Sequence, residues 1–420
     1  MIPIAKPTLG EREANAASEA ILSGWVTQGP RVKKFEDAFA QDVGARHACA
    51  VSSCTAALHL ALLAVGVRPG DVVITVSHSF IATANAVRHC GAEPVFIDID
   101  PETYNMEPEE LRRVLYEDCR TEEGKLYYNH IDKIAVGESP LKILCRSSNG
   151  SPSSIGRVAA VLPVHQMGIP CNIAQIVKIA KAHQLSVVED AACAVGSEVS
   201  LDGGETWERI GHPHGDAACF SFHPRKILTT GDGGMITTND SLMDARLRLL
   251  RHQGMNIPDT ERHGSRKVIF EEYVTTGFNY RMTDIQAAVG IEQLKRLDGI
   301  LLERRKLASG YADVMGSIPH LQLPKTPENT RPNWQSYPVK LGDMGSPGQT
   351  EVMQILLEKG IATRRGIMNA HQEPAYRPAG WVLPKSELSR DRVVLLPLAP
   401  GMTMKDLEYV SNMLREILTA

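Results

Sequence analysis

The sequence predicts an α/β fold built on an open, mainly parallel sheet. Three observations carry that expectation. Strand-like and helix-like patterns alternate through the first 240 residues, the succession that builds parallel sheets covered by helices. Polar clusters fall at the carboxyl ends of the strand-like runs, where such sheets bind ligands. Near residue 265 the organisation changes, which divides the chain into a large unit over 1–265 and a smaller one over 266–420.

The elements follow in order. EREANAASEAILSG reads as a helix that stops at Gly24. HACAVSS is a strand and TAALHLALLAVG a helix. DVVITVS is a strand, and IATANAVRHCG after it is helical. EPVFIDID is an apolar strand ending in acids. RVAAVLPVH is the next strand, and IAQIVKIAKAHQ has the i, i+3, i+4 spacing of a helix. LSVVEDA is again a strand. Residues 116–156 are polar and turn-rich, and read as an insertion that can hold a short hairpin and cover or extend a substrate face. Beyond 265, the segment from Thr283 to Met315 reads as one long helix. SYPVKL and DRVVLLPL are strand-like, and MKDLEYVSNMLREILT closes the chain as a helix.

Composition excludes several classes. The formal net charge is −4, with acids and bases mixed along 420 residues, so no nucleic-acid or membrane partner is expected. No apolar run approaches the roughly 18 residues of a spanning helix. The start, MIPIAKPTLGERE, has no apolar h-region, and a cytoplasmic location is expected. None of the eight cysteines forms a CxxC pair, which favours reduced, mostly buried thiols. His212, His214 and His223 lie close in sequence, but their loop is a weak ligand pattern and no metal is expected.

Four stretches carry chemistry. Lys226 lies between FSFHPR and ILTTGDGG. A lysine that attacks an aldehyde needs a lowered pKa, and Phe220, Phe222 and Ile227 offer apolar burial. Asp190 ends the strand LSVVED and points into the crevice, while Glu189 should face away by strand alternation. In SSCTAAL, a strand runs into a helix start whose free N–H groups at Cys54 and Thr55 suit a phosphate, and Ser221 could add a hydroxyl. Phe80, in SHSFIATANA, can cover one face of a flat ring. Each has a plain alternative when read alone: a surface lysine before a hairpin, an N-cap aspartate, ordinary helix capping and a core aromatic. Together they are the parts that hold pyridoxal 5′-phosphate, and neither a Walker A motif nor a GxGxxG after a first strand competes with that reading.

The ordered blocks SGWVTQGPRVKKFE, SSCTAALHLAL, PVFIDIDPETYN, VVEDAACAVG, FSFHPRKILTTGDGGMITTND and GFNYRMTDIQAAVGIEQLKRLD resemble the DegT/DnrJ/EryC1/StrS aminotransferases. The resemblance covers almost the whole chain. It implies the fold type I architecture of pyridoxal-phosphate-dependent transferases, with a smaller C-terminal α/β domain, and a cytoplasmic homodimer with shared active sites. Lys226 would form the Schiff base and carry the proton. Asp190 would pair with the pyridine nitrogen, and Phe80 would stack on the ring. Cys54, Thr55 and Ser221 would hold the phosphate, and Asn279 would reach the neighbouring subunit's phosphate. Cys54 stands where the family usually has Gly, and Cys193 where it usually has Gln or His beside the cofactor. The implied reaction moves an amino group from L-glutamate to a nucleotide-linked keto sugar, at C4 rather than C3. His165, Arg364, Arg365 and His371 are candidate contacts to that substrate. A keto-cyclitol acceptor and a non-catalytic cofactor-binding sensor are the alternatives. Sugar, nucleotide and pathway are not specified by the sequence.

Overall fold

The computed structural model describes residues 1–147, 155–257, 262, 267–342 and 348–419. Its largest sheet has seven strands: β1 (His47–Val51), β2 (Val72–Val76), β3 (Glu93–Ile97), β4 (Val158–Leu162), β5 (Ser186–Asp190), β6 (Ala217–Ser221) and β7 (Gly234–Thr238). Their spatial order is β1-β7-β6-β5-β4-β2-β3. Neighbours from β6 to β3 run parallel, and β7 lies antiparallel to both β6 and β1.

Alternation along the strands makes two apolar faces, and helices bury both. On one face Val73, Ala160, Val188 and Cys219 pack with the helices Cys54–Ala64 and Ser241–Arg251. On the other, Val72, Ile74, Val95, Val161 and Val187 meet Pro108–Glu117 and Ile173–Ala182. The helix Pro30–Val43 has proline at its start and a left-handed Gly44 at its end, both favoured there. Its first N–H groups are satisfied from a distance. Buried Asp284 accepts from Gly29 N at 2.9 Å, Val32 N at 2.9 Å and Arg31 N at 3.1 Å.

The segment read as one long helix is two, Asp284–Leu294 and Leu297–Met315, broken at Lys295 and Arg296. The first packs on Glu11–Leu22 and Pro30–Val43. The second changes cores along its length. Leu297 and Leu301 join the phenylalanine cluster under the large sheet, whereas Leu307, Tyr311 and Met315 join the second core. That second core lies on a four-stranded antiparallel sheet of Leu321–Gln322, Tyr337–Leu341, Val393–Leu396 and Arg364–Arg365, in that order.

The polar stretch at 116–156 does contain a hairpin, Cys119–Glu122 with Lys125–Tyr128. Leu126, Tyr128, Ile134 and Leu141 from this stretch are buried in the main core. Tyr127 bridges to Arg157, Gly156 N donates to Gly70 O, and Arg157 forks onto Asp71. These anchors precede β2 and β4, so the hairpin sits at the amino ends of the strands. The expected cover over a substrate face is therefore not found there. Residues 148–154 of the stretch lie outside the described residues.

Candidate active site

A cleft of about 650 Å³ opens at the carboxyl ends of β5 and β6, with Arg364–Met368 of the smaller sheet forming part of its wall. Asp190 is the last residue of β5 and is only 4 % exposed. Its Oδ2 accepts from Thr83 Oγ1 at 2.7 Å, and its Oδ1 from Ala192 N at 3.1 Å. Thr83 is in turn 2.7 Å from Ser79 Oγ, so a chain of hydroxyls orients the carboxylate. Burial pushes the Asp190 carboxyl above its usual range, against the pull of Thr83, Ala192 N–H and Lys226. Glu189 turns to the opposite face, as alternation requires, and accepts from Gly215 N at 2.8 Å.

Lys226 follows β6 in a turn closed by Lys226 N to His223 O at 2.8 Å. Its Nζ lies 3.0 Å from Cys193 Sγ. Burial acts to lower its pKa, but Cys193, Cys54 and Asp190 outweigh burial and the net direction is upward. The expected lowering is thus not observed. The reason lies in the neighbours: Cys193 accepts from Nζ, and with Cys54 and Asp190 it favours the ammonium form more than burial disfavours it.

The phosphate-type cradle forms where β1 gives way to Cys54–Ala64. Ser53 caps the helix by accepting from Ala56 N at 3.1 Å, and Ser53 O takes Ala57 N. The first N–H groups have no intrahelical acceptor, and Cys54 and Thr55 line the cleft with Ser221. The Cys54 side chain points inward, its Sγ 3.7 Å from Cys219 O, so the thiol leaves its own N–H accessible. Gly234 backs this cradle: a Cβ there would stand 2.6 Å from Ser53 C and O and 2.8 Å from Cys54 N. Phe80 is 64 % exposed and lines the cleft, so it is no core aromatic.

Two candidates are not brought to the cleft. His165 is fully buried, with Nε2 at 3.0 Å from Glu189 Oε2 and Nδ1 accepting from Cys171 N. His371 is 4 % exposed and is held between Ser77 Oγ and Glu387. Both rings serve packing behind the site. Arg364 and Arg365 are exposed and line the cleft. Asn279 is exposed, lies outside its own chain's cleft, and accepts from Arg281 Nε. Sequence reasoning missed Thr83, Ser79, Asn333 and Gln335. Gln335 accepts Ile227 N at 3.1 Å and donates to Arg225 O at 2.5 Å, fixing the backbone on both sides of Lys226.

Residues 7–121 and 152–415 match the model of the DegT/DnrJ/EryC1/StrS aminotransferase family, and the unmatched segment falls within the insertion. The spore coat polysaccharide biosynthesis protein SpsC of Bacillus subtilis is 34% identical, over 99% of this chain and 97% of that protein. Among solved structures, the aminotransferase TlmJ from Streptoalloteichus hindustanus superposes with a TM-score of 0.80 at 30% identity, covering 100% of this chain and 99% of that one. DesI, solved in the presence of its TDP-sugar product, gives 0.77 at 27% identity, covering 100% and 93%.

Proposed function

This chain belongs to the DegT/DnrJ/EryC1/StrS aminotransferase family, whose cofactor is pyridoxal 5′-phosphate, and from that premise we propose that it aminates a nucleotide-linked keto sugar, at C4, with L-glutamate as donor. The observation that carries the reading is the convergence of Lys226, Asp190, Phe80 and the Cys54–Thr55 helix start in one cleft, with Arg364 and Arg365 on its wall. The TDP-sugar product of DesI supports the acceptor class. The residues fit the cofactor: a cradle kept open by Gly234, a buried carboxylate held by Thr83, and an amine at the turn after β6.

When bound, the cofactor supplies an aldehyde and an electron-withdrawing pyridine ring. The chain's own groups do the rest. Lys226 Nζ would hold the cofactor and move a proton as general base and acid. Asp190 would pair with the ring nitrogen. Phe80 would lie against the ring and exclude water. The N–H groups of Cys54 and Thr55 and the Ser221 hydroxyl bind phosphate. Arg364 and Arg365 face the diphosphate of the sugar carrier, where a planar fork matches phosphate oxygens. Asn279 completes the neighbouring subunit's phosphate site in a homodimer. Its exposure, and the exposed Val268, Phe270 and Tyr273 close before it, support that assembly.

The test is a direct one. Purified protein is expected to carry a visible absorbance that L-glutamate bleaches, and Lys226→Ala to lack covalently held cofactor. Loaded enzyme is then offered keto sugar nucleotides and keto-cyclitols. Turnover of a keto-cyclitol with no sugar nucleotide accepted would overturn the acceptor assignment, and bleaching by another amino acid alone would overturn the donor.

A further inference from the structure

We propose that Cys193 is a positioning residue whose sulfur accepts a hydrogen bond from Lys226 and so sets the pH at which the lysine becomes a free amine. The inference rests on Lys226 being the attachment point proposed above.

The pair is built into the fold. Cys193 Sγ is 3.0 Å from Lys226 Nζ, within direct hydrogen-bonding distance. Fully buried Asn333 donates from Nδ2 to Cys193 O and to Val195 O, both at 2.8 Å, which locks the turn that carries the thiol. Asn333 Oδ1 accepts from Gln335 N at 2.8 Å, and Gln335 binds the backbone on both sides of Lys226. One short segment therefore holds both sides of the pair. Cys193, Cys54 and Asp190 act most strongly on Lys226, and all three favour the ammonium form; His223, Arg225, Asp232, Arg364 and Arg365 also line the cleft. Cys54 is buried and directed at Cys219 O, and its thiol is pushed far up by burial. Asp190 is committed to Thr83 and Ala192 N–H. Cys193 is half-buried on the cleft wall and has the amine as its near partner.

Two measurements test this. The first follows uptake of pyridoxal 5′-phosphate by cofactor-free protein against pH, for wild type, Cys193→Ala and Cys193→Ser. Losing the sulfur acceptor should move the uptake midpoint of Cys193→Ala to lower pH by about one unit, with Cys193→Ser shifted less because its hydroxyl also accepts. An unchanged midpoint in both variants overturns the proposal while leaving the attachment role of Lys226 intact. Failure of wild type to take up cofactor at all would remove the attachment reading and this inference with it. The second needs no cofactor: alkylation by iodoacetamide, mapped to the Cys193 peptide. A neighbouring ammonium speeds the reaction of a thiol with an alkylating agent, so Lys226→Ala should be alkylated at Cys193 several-fold more slowly than wild type. Equal or faster alkylation overturns the pairing.

Discussion

At the scale of single residues, the site turns on how one carboxylate is kept in place. Asp190 is buried, and the Thr83 hydroxyl is a principal donor to it. A hydrogen bond to a charged acceptor contributes about 1.5–3 kcal/mol, so Thr83→Val should lower kcat by roughly 10–100-fold. Steady-state kinetics would show this with an acceptor KM close to wild type, and a fall confined to KM would contradict it. The same carboxylate predicts a pH effect. Burial raises the Asp190 pKa in the folded protein. Its contribution to stability is therefore fully present below the unfolded value of about 3.9 and is lost as pH rises through the folded value. In cofactor-free protein, Asp190→Asn should gain Tm over wild type as pH rises from about 4, while losing turnover. A difference in Tm that stays flat with pH would refute the assignment. Lys226, Asp190, Phe80 and the Cys54–Thr55 pair were legible in the sequence because each sits at an element boundary that local pattern marks. Thr83, Asn333 and Gln335 were not, because their roles come from partners 107, 140 and 108 residues away in sequence. His165 lies beyond its strand, which ends at Leu162, and its ring turns to Glu189, so the strand pattern gives no guide to where it points.

At the scale of elements, the cradle depends on β7 passing close behind a helix start. Gly234 is needed there for space: a Cβ would meet the backbone of Ser53 and Cys54 at 2.6–2.8 Å, and backbone cannot yield as a flexible side chain can. Gly234→Ala should push the first turn of Cys54–Ala64 out of line and, with its N–H groups proposed as the phosphate ligands, weaken cofactor binding by about tenfold or more. Equilibrium dialysis with pyridoxal 5′-phosphate measures this, and affinity equal to wild type would show that the cradle does not hold the phosphate. Strands β1 to β5 were visible as short apolar runs between helices, whereas β6 and β7, which flank the lysine turn, were not read as strands. The break at Lys295 and Arg296 was not visible either, because both residues are good helix formers. It is set by tertiary packing, since the two helices it separates lie on different partners.

At the scale of the whole molecule, the amino ends and carboxyl ends of one sheet carry different loads. The hairpin after Glu117 packs at the amino ends and buries its apolar side chains in the common core. Residues 122–147, the described part of the segment that the family model leaves unmatched, lie within this stretch, so what distinguishes the chain from its family there reads as structure and not as a substrate lid. The carboxyl ends carry the cleft, and Asn279 is exposed outside it on the same chain. If Asn279 serves a partner's phosphate site, each active site is composite, and two different defects can complement. Lys226→Ala and Asn279→Ala protomers are each expected to be strongly impaired as homodimers. In a mixed dimer, one site takes both defects and the other takes an intact Lys226 from one protomer and an intact Asn279 from its partner. Equal amounts of the two, unfolded and reassembled together, should form mixed dimers half of the time and restore about a quarter of wild-type activity. The same proteins reassembled apart and then combined without exchange provide the baseline. Recovery above it requires a shared site. No recovery, with mixed dimers demonstrated by tag-based capture, would place Asn279 in its own subunit's service and make each protomer catalytically self-sufficient.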